Sequence, residues 1–342
     1  MTQGSTDYEA LLLVAFGGPE APDQVEPFLE RVTAGRRIPA ERLAEVADRY
    51  ARVGGVSPIN GRLRNLVDSV EVELRAAGSG LPVYWGNRNA PPLLTDTLAE
   101  MSNNGVRRAL AWIASPYSSH STCRRYRDDI ETACSEIGPS APQVDVIRPH
   151  HDHPGLIQPA ADRLVEALRS LPADDATVLF SAHSLPADLA ATCDYEAQVD
   201  ETAGLVAERA GLTDHQRWEV VWQSRSGHPG VPWLEPDVSD RVQQLGEAGV
   251  RSVAVSPVGF PVENFEVVWD LDIEAAEHAA RAGMNFARAE CIDNDPRFVA
   301  MIGDLAAERT DPDHTGPAAL GQSGVRPHEC PADCCPGPAS PA

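Results

Sequence analysis

Two residues stand where an apolar run gives way to polar punctuation, and both could handle protons or a metal. His183 closes the run Phe180-Ser181-Ala182 and is followed by Ser184-Leu185-Pro186; Glu266 follows Pro257-Val258-Gly259-Phe260 and Glu263-Asn264-Phe265. An imidazole changes charge near neutral pH and presents a nitrogen to transition metals. A carboxylate can hold developing positive charge or pass a proton on. Taken singly, His183 also suits a hydrogen-bonded structural histidine, and Glu266 suits a first helical turn, where the dipole favours a carboxylate. Asp270, Asp272, Glu274 and Glu277 continue beyond Glu266. On a helix, Glu266, Asp270 and Glu277 share one face. That face is either simply solvated or a path for cations or protons leading from a pocket.

Other candidates are weaker. His150, His151 and His153 lie in Arg-Pro-His-His-Asp-His-Pro, but ligands adjacent in sequence rarely close on one ion, so no metal site is expected from that run alone. Gly17-Gly18-Pro19 lacks the GxGxxG of a dinucleotide fingerprint. Ser184 lies in HSLP and not in a GxSxG elbow. Cys330, Cys334 and Cys335 crowd into HECPADCCPGP near the C-terminus. In a reducing compartment such a group predicts metal ligation over disulfides. Three thiolates do not complete the four-cysteine set of a 2Fe–2S cluster or a structural zinc. The fourth must come from Cys123, Cys134, Cys193 or Cys291.

The elements that must position these residues follow a βαβα rhythm. Strands are predicted at Ala10–Phe16, Leu81–Gly86, Arg107–Ala114, Gln143–Ile147, Ala176–Ser181, Trp218–Gln223 and Val250–Ser256. Several are nearly continuous apolar runs, as in parallel sheets buried on both faces. Amphipathic stretches between them, such as Ala40–Val53, Asn60–Ala77, Asp194–Ala210 and Glu266–Ala282, read as helices. The expectation is an α/β fold of two Rossmann-like halves with parallel sheets flanked by helices. The boundary is placed at the RPHHDHP punctuation: residues 1–150, residues 151–312, and an irregular, flexible tail at 313–342 carrying the cysteine cluster. In such sheets ligands bind beyond the carboxyl ends of the strands, and His183 falls at one of those ends.

The 342 residues hold 28 basic and 51 acidic side chains, a net charge of −23. That charge argues against nucleic acid or an anionic membrane surface as partner. All the basic residues are arginine, which excludes Schiff-base lysine chemistry and a Walker-type phosphate lysine. No apolar run approaches the roughly 18 residues of a membrane span, so no stable membrane insertion is expected. The N-terminal MTQGSTDYEA carries no basic stretch or signal-like apolar run, which predicts a cytoplasmic protein.

Seven motifs in order, from Leu11 to Ala275, give the chain a family resemblance. They are LLLVAFGGPE, RYARVGGVSPIN, GNRNAPP, SPYSSHSTCRRY, FSAHSLP, WQSRSG and PVGFPVENFEVVWDLDIEA. The chain resembles ferrochelatases, which insert Fe(II) into a porphyrin, and most closely their actinobacterial branch, whose product is coproheme from coproporphyrin III. The resemblance implies a porphyrin cleft between the two halves, with His183 and Glu266 as the pair at the metal-insertion centre; either assignment of proton acceptor and iron contact between them balances charge. It places Arg49, Ser57 and Tyr126 near the substrate propionates, which suits bidentate guanidinium and hydroxyl recognition. It implies a 2Fe–2S cluster held by Cys123, Cys330, Cys334 and Cys335, with Cys134 in reserve and Cys193 and Cys291 as ordinary thiols. An iron donor or a downstream haem-pathway enzyme are implied as further partners. Two positions depart from relatives: Phe16 stands where many carry a tyrosine, and Val262-Glu263-Asn264 lacks the usual histidine. Protoporphyrin IX, another tetrapyrrole, or a non-catalytic porphyrin carrier are the competing readings.

Overall fold

The computed structural model describes residues 8–35, 38–172, 176–212, 217–226, 230–331 and 333–337. Gly227 of the WQSRSG motif lies outside them. Two four-stranded parallel sheets form the frame. The first has the order β2-β1-β3-β4, from β1 (Ala10–Ala15), β2 (Val83–Asn87), β3 (Arg108–Ile113) and β4 (Gln143–Val146). The second repeats that order as β6-β5-β7-β8, from β5 (Thr177–His183), β6 (Trp218–Gln223), β7 (Ser252–Ser256) and β8 (Asn285–Arg288). The central strands β1 and β7 are buried along their whole length, which accounts for their unbroken apolar sequences. Among the described residues no helix is long and apolar enough to cross a membrane.

Besides the single helical turn Ala187–Ala190, two elements are not evident in the sequence. β8 is a four-residue edge strand, Asn-Phe-Ala-Arg, with only Ala287 fully buried, so it lacks an apolar run. Helix Pro296–Thr310 starts at an Asp295 cap and packs against both Ile59–Ala76 and Pro154–Arg169. It thereby joins the two halves in one apolar core containing Leu63, Leu66, Leu164, Phe298 and Ile302.

Two short segments are π-helical. His120–Arg124 carries Cys123 and runs into helix Arg125–Ile137. Val268–Ala275 follows the single turn Phe265–Val267 and runs into Ala276–Arg281. The wider turn re-aims side chains relative to α-helical spacing. It corrects the expected carboxylate row. Asp270 is buried and feels the charges of Glu266 and Glu274, whereas Glu277 sits at the surface with Arg281, 2.7 Å away.

The described residues of the tail form no helix or strand, yet much of this stretch lies against the body. Leu320 N donates to Asp152 O at 3.0 Å, Arg326 pairs with Asp194 at 2.6 Å, and His328 pairs with Glu308 at 3.3 Å.

Candidate active site

His183 is the last residue of β5, and Glu266 sits in the first turn after the loop that leaves β7. The two strands are hydrogen-bonded neighbours, with Phe180 opposite Ser256, so their carboxyl ends open at one place. Gly259 brings the loop close: a Cβ there would fall 2.5 Å from Ala182 Cα, and its amide donates to Ser181 O at 3.0 Å. Asn264 accepts from Val267 N at 3.0 Å and starts the turn that aims Glu266. The result is a 3.7 Å approach of His183 Nε2 to Glu266 Oε1, with both side chains partly exposed.

His183 is oriented by its backbone surroundings. Nδ1 donates to Ser184 O at 2.5 Å, so in the neutral ring the lone pair belongs to Nε2, which faces Glu266. Tyr195 donates from its hydroxyl to His183 O at 2.9 Å and pins the main chain. Nothing in the sequence marked Tyr195. Burial opposes charging of His183, but the Glu266 carboxylate beside it, aided by the Ser184 carbonyl, carries its pKa above the ordinary histidine value.

Asp270 lies one step deeper. Burial, with the charges of Glu266 and Glu274, pushes its carboxyl up to about 7, although hydrogen bonding from Ser224 opposes this. Gln223 Nε2 bridges the two residues, donating to Glu266 O and to Asp270 Oδ2, each at 3.3 Å. Beyond Asp270 opens a cavity of about 260 Å³ lined by Arg42, Arg49, Ser224, Arg225, Asp270 and Glu274.

The remaining candidates fall into separate places. Arg49 is on helix Ala40–Arg52. Its guanidinium lies 5.4 Å above the Trp269 ring and reaches Glu45 at 3.4 Å and Glu274 at 3.5 Å. It therefore touches the carboxylate row as well as the cavity. Ser57 is buried beneath the Gly17-Gly18 turn, where a Cβ on Gly18 would lie 2.6 Å from Ser57 Cβ. Tyr126 is buried under Arg88, whose guanidinium is 4.7 Å from the ring. Burial raises the Tyr126 pKa, and the Glu266 charge adds to it. Phe16 packs edge-on against Phe28 at 6.1 Å and is part-exposed; a phenyl ring offers no ligand. Glu263 is paired with Arg288 at 3.0 Å and serves the fold of the loop.

The cysteines form two groups. Cys335 hydrogen-bonds with the thiols of both Cys123 and Cys193, which brings those two down to about 6 and about 7. Cys330 hydrogen-bonds with Cys334 and feels the Cys123 charge. Cys193, read from the sequence as an ordinary thiol, thus stands beside the tail cysteines. Cys134 instead donates to Pro142 O at 3.5 Å, and Cys291 is buried with its thiol pushed up. Among the described residues no three of these sulfurs converge to within 4.8 Å of one another.

Comparison with known proteins gives the chain its family. The family model described as Ferrochelatase matches residues 8–310. The coproporphyrin III ferrochelatase of Mycolicibacterium smegmatis is 48% identical over 307 residues, covering 88% of this chain and 89% of that protein. That of Nocardia farcinica is 49% identical over 314 residues, covering 89% and 88%. Among solved structures, SirB from Bacillus subtilis with Fe3+ superposes with a TM-score of 0.52 at 11% identity, covering 89% of this chain and 96% of that one; it supports the fold alone. The twin parallel sheets, the His183–Glu266 pair at their open edge and a family match across both halves lead to one conclusion: this chain belongs to the ferrochelatase family.

Proposed function

We propose that this chain inserts Fe(II) into coproporphyrin III to give coproheme, in a cleft between a first half ending near residue 150 and a second half spanning 151–312. The observation that carries the reading is the 3.7 Å pairing of His183 Nε2 with Glu266 Oε1 at the open edge of the second sheet. The names of the relatives favour coproporphyrin III. Insertion requires the ring to lose two pyrrole N–H protons as the metal enters. His183 Nε2 takes both protons in turn, because Nδ1–H is already committed to Ser184, and it passes the first on before accepting the second. Glu266 holds the positive charge that arises, first on Fe(II) and then on the imidazolium. Asp270, poised to hold or release a proton near neutral pH, carries each proton in turn toward the cavity beyond Ser224. Arg49, with Ser57 and Tyr126, anchors propionates; Arg49 has the donors for bidentate carboxylate binding. The setting is cytoplasmic haem biosynthesis, with an iron donor or a downstream haem-pathway enzyme as partner.

Anaerobic absorbance spectroscopy with Fe(II) tests this reading, with coproporphyrin III and protoporphyrin IX in parallel. Metal-dependent loss of the free-base spectrum, faster with coproporphyrin III, is expected. A stable free-base complex that ignores Fe(II) would identify a carrier instead, and faster loss with protoporphyrin IX would reverse the substrate assignment. For anchoring, Arg49→Ala is expected to raise KM about tenfold with little change in kcat, as for a contact made equally in ground and transition states. An effect confined to kcat counts against it.

We infer further that the tail thiols and Cys123 hold a 2Fe–2S cluster. Such a cluster takes two thiolates per iron, and the donors available are thiols grouped as Cys330 with Cys334 and as Cys335 with Cys123 and Cys193. Of the proposed ligands, Cys123 has a lowered pKa through its hydrogen bond with Cys335, which favours the thiolate that ligation needs. When bound, the cluster supplies a redox-active clasp for the tail. Anaerobically purified protein is expected to be brown, with about two iron and two sulfide per chain, and Cys123→Ser is expected to bleach it. Colourless protein holding one zinc would keep the ligands and refute the cluster.

A further inference from the structure

The His-His-Asp-His run does not close on itself, but one of its histidines meets a residue from far along the chain. His150 stacks on Trp112 at 5.6 Å, and His153 accepts from Gly155 N as the cap of helix Pro154–Arg169. His151 instead reaches Glu201 on helix Tyr195–Arg209, with Nε2 2.9 Å from Oε2. Among the described residues, His151, Asp152 and Glu201 are the group of metal-ligating side chains whose ligand atoms all lie within 4.8 Å of one another.

Charge and hydrogen bonding at this spot are unbalanced. His151 and Asp152 are fully buried, and the Glu201 side chain is 18% exposed. Two carboxylates therefore share one imidazole, and among the described residues neither is paired with an arginine. Backbone amides of the tail satisfy one oxygen of each: Gly321 N donates to Asp152 Oδ2 at 3.2 Å and Gln322 N to Glu201 Oε1 at 2.7 Å. Asp152 Oδ1 and His151 Nδ1 remain buried with no hydrogen-bond partner. An unpartnered oxygen on a buried carboxylate is costly, the more so beside a second carboxylate. A cation between them removes both penalties.

We propose that His151, Asp152 and Glu201 form a second metal site, which takes a divalent transition-metal ion and clasps residues 320–323 to the body. One imidazole nitrogen with two carboxylates selects the Mn2+, Fe2+ and Zn2+ class over Mg2+ or Ca2+, which prefer all-oxygen shells. The ligands come from the segment joining the two halves and from a helix of the second half. The tail closes over them, and the part-exposed Glu201 gives the ion its way in. Occupancy sets the position of the tail upstream of Cys330.

Chelator-stripped full-length protein, titrated with Mn2+ while free ion is followed by electron paramagnetic resonance, tests the site. Mn2+ binds thiolates poorly, so the cysteine groups do not mask it. Asp152→Asn and Glu201→Gln are each expected to bind one Mn2+ fewer than the wild type, whereas His183→Ala keeps this ion. In the wild type, Mn2+ is expected to slow hydrogen exchange of the 320–323 amides about tenfold, since a ligand that binds only the closed state protects it. Equal Mn2+ counts in wild type and both variants overturn the proposal. So does wild-type exchange at 320–323 that Mn2+ leaves unchanged, which would mark a hydrogen-bonded latch only; that measurement needs no variant to fold.

Discussion

The His183–Glu266 pair makes a signed prediction about pH. Burial works against a charged His183, and the Glu266 carboxylate, together with the Ser184 carbonyl and Asp270, more than offsets it, so the net pKa is raised. Only the neutral ring accepts a proton, so kcat/KM rises with pH through that raised pKa, the free-enzyme value. Glu266→Gln removes the charge and leaves the burial. The acid limb of kcat/KM is then expected to move to lower pH while the maximal rate falls at least about a hundredfold, the lower end for a lost acid–base contribution. A pH–rate profile checks both. An unmoved limb would mean that Glu266 does not govern His183. Asp270 is poised near neutrality by burial and by its neighbours Glu266 and Glu274, and its charge is a lesser support of the raised His183 pKa, so Asp270→Asn is expected to slow turnover and to move that limb to lower pH by less than Glu266→Gln does.

Each of these side chains owes its position to the elements around it. Gly259 allows the loop after β7 to lie on the end of β5 beside His183. Gly259→Ala forces a Cβ against the Ala182 backbone, and the shift it causes is expected to cut kcat about a hundredfold, the scale of a 1 Å misplacement; activity assays with a check of the folded spectrum measure it. The twin-sheet architecture was legible because β1, β5 and β7 are buried on both faces and carry unbroken apolar runs. His183 and Glu266 were legible because polar residues follow those runs at the carboxyl ends. β8 was not, since an edge strand of Asn-Phe-Ala-Arg has no period to read. The π-helical segment at Val268–Ala275 was not, because nothing in Val-Trp-Asp-Leu-Asp-Ile-Glu-Ala distinguishes its pitch from an α-helix, and so Glu277 was grouped with Asp270 in place of Glu274. The Cys193 contact depends on where the tail lies, and the tail has no periodicity.

At the scale of the whole molecule, the halves and tail are tied together by a small number of polar contacts around one apolar core. Arg148, in the segment joining the halves, is fully buried and meets Glu308 of the C-terminal helix through two bonds of 2.8 and 2.7 Å, while also donating to Ala318 O of the tail at 3.0 Å. Burial raises the Glu308 pKa, but Arg148 and His328 overcome it and hold the carboxyl down at about 2. Its contribution to stability is therefore fully present above the unfolded value near 4.5 and is lost as pH falls toward about 2. Glu308→Ala leaves a buried guanidinium without its partner and is expected to cost about 3–5 kcal/mol in denaturant unfolding at neutral pH. A cost below about 1 kcal/mol, typical of surface pairs, would mean that this contact does not bind the halves together.

The proposed chemistry depends above all on His183 as the proton acceptor at the metal-insertion centre. Anaerobic turnover of Fe(II) and coproporphyrin III by His183→Ala, measured beside porphyrin binding by the same variant, tests it most directly. The variant is expected to bind the porphyrin with near wild-type affinity and to lose insertion; near-normal turnover would contradict the catalytic role of His183.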